Sequence, residues 1–248
     1  MDERVALFAN VLNDPADDTA RLVFADWLEE HDEGDRAGFI RAGVTAARFR
    51  DEPLIDDPDY YAAISTMAGV ATWGGPARWL SELGVGRVPL TGTDWLWDST
   101  GDRVTVRIGR VSGVFTRGML SELIVPLAEW YDLAVPALTA WPLECATVTD
   151  VPGLRFSIDA PTDERPDWRL SATLTLRPRR RPGMLRRLTN LVATEEHRQR
   201  PVAPYQWEAE RRFPDRAALA GLIDAVSIVL VEEVRAAADN RWPPPPER

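Results

Sequence analysis

Apolar residues fall at helical spacing through the first fifty positions. Val5, Phe8 and Leu12 mark the stripe of a first helix, which Asp14-Pro15 ends, leaving Asp17, Asp18 or Thr19 to cap the next. Ala20, Val23, Phe24, Trp27 and Leu28 follow at i, i+3, i+4, i+7 and i+8, the period of a buried helical face. After the break "HDEGD", Phe39, Ile40, Gly43, Val44 and Ala47 repeat that spacing, with Gly43 placed for close packing. Residues 51–60, "DEPLIDDPDY", read as a linker or exposed loop, and 60–83 as helix broken at "WGGP". The stretch 86–102 is turn-rich.

Period-two alternation then takes over. Val104, Val106 and Ile108 predict a strand. Leu120–Val125, Leu127–Trp141 and Leu143–Thr149 predict one strand–helix–strand unit, with Pro136 placed to kink its helix. No second copy of that unit follows, whereas a solenoid needs about three or more. Leu154, Phe156 and Ile158 alternate, as do Trp168, Leu170, Ala172, Leu174 and Leu176, and a further strand is predicted through Tyr205, Trp207, Ala209 and Phe213. Residues 183–197 read as an Arg-rich turn and helix. The segment 214–239 is the strongest helix signal, with Leu219, Leu222, Ile223, Val226 and Leu230 on one side and enough apolar character to be mostly buried. "WPPPPER" cannot continue it. The predicted fold class is α+β: a helical module over 1–50, a mixed region over 51–150 with one repeat-like unit, an α+β domain over 151–242 whose antiparallel sheet is covered by the long helix, and a tail over 243–248.

The acids of the first segment occupy positions that the apolar stripe leaves free, and they cluster at helix starts, where the macrodipole favours them. They read as a solvated face. "DPADD" and "DEGD" lack the alternating oxygen ligands and terminal Glu of a calcium loop. The net charge of −10 arises wholly here: residues 1–60 hold sixteen acids against six arginines, and the remainder is balanced. Such a segment repels nucleic acid and anionic membranes.

The stretch "DPADDTARLVFADWLEE" followed by "GDRAGFIRAG" resembles the repeat-companion domain, a short N-terminal bacterial module, over residues 4–45. Asp18, Thr19, Arg21, Asp26, Trp27, Phe39 and Arg41 fit its pattern and read as structural. Gly38 stands where the family carries Glu, and the Pro that often follows Gly-Asp is absent. The family has no known activity and tends to accompany leucine-rich-type repeats. The resemblance therefore implies interaction surfaces rather than chemistry.

All 29 basic residues are arginine, which is the codon usage of a GC-rich genome. Six crowd into "LRPRRRPGMLRR": Arg177, Arg179, Arg180, Arg181, Arg186 and Arg187. Three readings stay open: an exposed loop paired with acids of the same chain, a docking patch for another protein, and a phosphate or nucleic-acid contact. Cys145 is the only cysteine, so no intrachain disulfide forms. His31 or His197 would be needed as its base, yet no nucleophile motif surrounds it, and "PLECATV" reads as strand interior. No zinc spacing, Walker loop, GxSxG or dinucleotide fingerprint occurs. The start lacks the basic and apolar regions of a signal peptide, and no run reaches the roughly 18 apolar residues of a membrane span. The sequence reading is thus a cytoplasmic, non-enzymatic interaction or adaptor protein with no cofactor or metal, bound to another protein and not to membrane. A nucleic-acid or phosphate binder acting through 177–187 and an enzyme without a recognisable motif are the alternatives.

Overall fold

The structure, a computed structural model, describes residues 3–52, 56–85, 95–162, 164–176 and 205–241. In chain order the described elements are α1 (Glu3–Asn13), α2 (Asp18–Glu30), α3 (Gly34–Ala47), α4 (Pro58–Thr72), α5 (Gly75–Ser81), β1 (Trp95–Thr100), β2 (Arg103–Ile108), β3 (Val111–Thr116), β4 (Met119–Val125), α6 (Leu127–Ala140), β5 (Cys145–Val148), β6 (Leu154–Asp159), β7 (Trp168–Leu176), β8 (Tyr205–Phe213) and α7 (Arg216–Arg241). The fold is α+β, as the patterning predicts.

Asp17 is the cap of α2: its carboxylate accepts the Thr19 N–H at 2.8 Å. The expected loop at 51–60 gives way at Pro58, which opens α4 behind the cap Asp57. A proline has no N–H to waste at that position. Val5 and Val23 are exposed rather than buried, so the apolar stripes of α1 and α2 are narrower than their spacing implies. On α7 Leu222 is likewise exposed, at 52%, together with Ile228 and Val229.

The strands form one mixed sheet in the order β1 to β8. Neighbours pair antiparallel except β4 and β5, which run parallel across the α6 connection, as the strand–helix–strand pattern requires. The antiparallel strands β6–β8 extend this same sheet rather than forming a second one, because β5 pairs with β6 across residue 150. Within the turn-rich stretch, Trp95–Thr100 is a strand. Trp95 and Trp97 lie opposite Ile108 and Val106, and Gly101, at φ +60°, makes the turn to β2. β3 is a further strand, with Gly113 at its centre under Leu80.

Every described helix that packs on the sheet lies on one side of it. Phe39 of α3 and Trp79 of α5 meet Phe115, with ring centroids at 6.0 and 6.1 Å, and Trp130 of α6 stacks on Phe156 at 5.0 Å. α7 covers β7 and β8. Its Arg216 is buried, donates to the carbonyls of Leu138 and Trp141, and lies 4.9 Å from the Trp168 ring. The helices and this side of the sheet share one apolar cluster that runs from Val11 to Ala238.

The N-terminal helices are locked to the sheet at the β3–β4 turn. Arg117 and Gly118 both have positive φ, +52° and +74°, the geometry of a tight two-residue hairpin. This turn packs backbone to backbone against α3: a Cβ on Gly43 would lie 2.2 Å from the Gly118 nitrogen. The close packing expected at Gly43 is thus made with the hairpin.

Candidate functional site on the open face of the sheet

Strand alternation places Arg103, Glu122, Cys145, Thr147, Arg155, Ser157, Asp159, Arg169, Thr173 and Glu210 on the face opposite the helices. Among the described residues no helix covers this face, and no aromatic side chain stands on it. A polar ladder crosses it. Arg103 pairs with Glu122 at 3.1 Å, and Glu122 accepts from the Thr147 hydroxyl at 2.8 Å. Arg155 donates to the Cys145 sulfur at 2.9 Å, and Arg169 bridges Asp159 at 2.6 Å and Glu210 at 2.9 Å.

Two hollows lie along this face. A groove of about 1320 Å³ borders Thr147, Thr173, Thr175 and Gln206 of this face and rounds the β5–β6 turn to Leu154, Leu174 and Arg235 on the α7 side. A cleft of about 630 Å³ lies at the opposite end, where the α1–α2 turn, the β3–β4 hairpin tip and the β6–β7 loop approach one another. Arg155 and Ser157 border both, so the two hollows are neighbours.

Five arginines line the cleft: Arg21, Arg50, Arg117, Arg155 and Arg165. Two are committed to carboxylates. Arg50 pairs with the buried Asp102, and Arg117 pairs with Asp18 at 3.5 Å while donating to the Ala16 carbonyl at 3.1 Å. Three have no carboxylate partner among the described residues. Arg155 reaches only the thiol, and Arg165 has no ion pair. Arg21 gives one guanidinium nitrogen to the Pro15 carbonyl. Arg21 is 2% exposed, and its Nε has no hydrogen-bond partner. Burial, then the neighbouring Arg117 charge, lowers its pKa. Of the acids in the cleft, Asp14 accepts the Ala16 N–H and Asp159 belongs to Arg169, while Glu144 makes no side-chain hydrogen bond.

Cys145 is a buried strand residue, as its surroundings in the sequence predict. Burial, then the Glu122 charge, raises its thiol pKa, with Arg155 opposing, so the sulfur is protonated at neutral pH rather than a prepared nucleophile. His31 is not part of this cleft: its ring stacks on Trp27 at 3.8 Å, and its Nδ1 lies 2.7 Å from the Trp27 carbonyl. His197 lies outside the described residues. No group of three or more metal-ligating side chains occurs among those described.

The other residues of the N-terminal motif are spread around the helices. Thr19 donates its backbone N–H to the cap, and Phe39 belongs to the aromatic core. Arg41 joins Asp26, at 2.8 Å, to Glu29, so part of the acidic stretch is a salt-bridged outer face. Arg21, read as a motif position, is the one that enters the cleft. The arginine run Arg177, Arg179, Arg180, Arg181, Arg186 and Arg187 lies outside the described residues. Its connection leaves the sheet after Leu176, which pairs with Tyr205 at the end away from the cleft. The sequence reading did not single out Arg117, Arg155 or Arg165. "TRGM" between alternating strands is the local signal for Arg117, as a hairpin turn, whereas Arg155 and Arg165 carry no local signal at all.

Compared with protein-family models, curated proteins and solved structures, the chain finds no match in any of the three. Among the described residues, no helix is long and apolar enough to cross a membrane.

Proposed function

We propose that the protein is a non-enzymatic interaction protein of the cytoplasm that receives an extended, acidic segment of a partner protein along the open face of its sheet. The observation that carries this reading is the polar face, which no described helix covers, with two neighbouring hollows, one of them lined by arginines that have no carboxylate partner among the described residues. Arginine forks bind carboxylates bidentately, and an extended chain is a form in which proteins are received along a sheet. The repeat-companion resemblance of residues 4–45 supports the same class of function, and the single reduced cysteine supports the compartment.

The test is cross-linking capture from native lysate with wild type, Thr173→Arg, Arg155→Glu and Arg179–Arg181→Ala baits, with and without nuclease. The expected result is one partner whose cross-links map to β5–β7, lost from the first two variants and kept by the third. A partner kept by Thr173→Arg and lost from Arg179–Arg181→Ala moves the interaction to the arginine run. Nuclease-sensitive capture establishes the nucleic-acid reading instead. The open face does not favour that reading, because single-stranded nucleic acid is held by stacking on aromatic side chains, and none of the described ones stands there.

A further inference from the structure

We infer that the cleft at the α1–α2 turn is an oxyanion pocket that takes a phosphate monoester. This deepens the docking reading by naming a charged group in one of the two hollows, but it stands on the cleft alone. Three observations meet there. Arg21 lines the cleft, is buried and charged, and is incompletely satisfied, since its buried Nε has no hydrogen-bond partner. A buried guanidinium with an unused donor costs stability unless an acceptor arrives. Arg155 and Arg165 line the same space without a salt bridge among the described residues, so with Arg21 three guanidiniums there are not locked into an ion pair. Arg117 stands beside Arg21 and depresses its pKa further, and an arriving anion relieves that repulsion.

Charge count decides between a carboxylate and a phosphate. One carboxylate supplies a single negative charge and two oxygens. A phosphate monoester supplies nearly two charges and three acceptor oxygens, enough for guanidiniums approaching from separate elements. The walls come from separate elements here: Arg21 from α2, Arg155 from β6 and Arg165 from the β6–β7 loop. Ser157 adds a hydroxyl on the same wall. Glu144 is the one carboxylate there without a hydrogen bond of its own, and its charge sustains those of Arg21 and Arg50.

Calorimetric titration of the whole protein tests this, using inorganic phosphate, phenyl phosphate and benzoate at fixed ionic strength. Phosphate and phenyl phosphate are expected to bind at one saturable site. Arg155→Gln and Arg165→Gln, both at exposed positions and compatible with folding, should each weaken binding about tenfold, the value of one charge-assisted hydrogen bond. Arg78→Gln, an exposed side chain of α5 away from the cleft, should leave it unchanged. A wild type without saturable phosphate binding, unaltered affinity in both cleft variants, or benzoate binding as tightly as phenyl phosphate each overturns the proposal. Tighter binding of a phosphoserine peptide than of phenyl phosphate assigns the ester to a protein, and equal binding assigns it to a small molecule. Either result upholds the pocket. The titration uses no partner, so its failure removes the pocket and leaves the docking reading to the capture experiment.

Discussion

Gly43 and Gly38 lie five residues apart on α3, and the structure gives them opposite roles. A methyl group on Gly43 meets the Gly118 backbone nitrogen at 2.2 Å, and neither backbone can yield without separating the helix from the hairpin. Gly43→Ala should lower unfolding stability by about 3 kcal/mol, an overpacking cost. Gly38 has nothing within 4 Å of that position, so Gly38→Ala should stabilise the protein by about 0.5–1 kcal/mol through helix propensity. Urea unfolding of the two variants measures both signs. Cys145 offers a pH prediction. Its folded thiol pKa is raised above the ordinary 9.0, so the folded state holds the proton more tightly. Its contribution to stability is present below pH 9 and is lost as pH climbs through the higher folded value. Alkylation of the native protein should therefore be slow at pH 7 to 8 and accelerate only above pH 9, whereas urea-unfolded protein reacts at the rate of a free thiol.

At the level of elements, one buried hydrogen bond joins two helices far apart in the chain. Trp130 of α6 donates its indole N–H to the Ser227 hydroxyl of α7 at 3.0 Å, with both residues fully buried. Ser227→Ala leaves that N–H without an acceptor and should cost about 1–3 kcal/mol in urea unfolding. Trp130→Phe removes the donor, and in that background Ser227→Ala should cost less, so a double-mutant cycle isolates the pair. The helix-side residues of most strands alternate, which is why those strands are legible in the sequence, whereas the bulge at Val114 and Phe115 shifts β4, so that Leu120 and then Leu123 face the helices. β1 and β3 escape that reading because turn residues crowd them: Gly101 follows one, and Gly113 interrupts the other.

On the scale of the whole molecule, the described residues share one sheet and one core. Strands from both sides of residue 150 share pairing partners, and the apolar cluster spans the first helix and the last. Thermal unfolding followed by tryptophan fluorescence and by far-ultraviolet circular dichroism should therefore give coincident single transitions. Separate expression of 1–150 and 151–248 tests the same point. Neither piece should give a folded spectrum alone, because the cut strips β5 of β6 and parts α6 from α7. Two independently folded fragments would divide the molecule where its composition changes.

The amino-acid sequence determines the helical stripes of the N-terminal module, the strand–helix–strand unit, the long final helix and the α+β class. These rest on local periodicity, which neighbouring residues carry by themselves. It also determines that Cys145 sits in a strand. It leaves open which acid caps α2, and the structure settles on Asp17. The cleft is a product of tertiary structure alone. Arg21, Arg117, Arg155 and Arg165 come from four segments, and only the closing of α3 on the β3–β4 hairpin, beside the ends of β5 and β6, brings them to one space. No local pattern encodes such a meeting, because charge and burial at one point depend on chain segments more than a hundred residues apart. For the same reason Arg21 is buried while Val23 beside it is exposed, the reverse of their hydropathy: packing of α2 against its neighbours decides which side is covered, and the pocket inherits a charge that the sequence places on a soluble-looking helix.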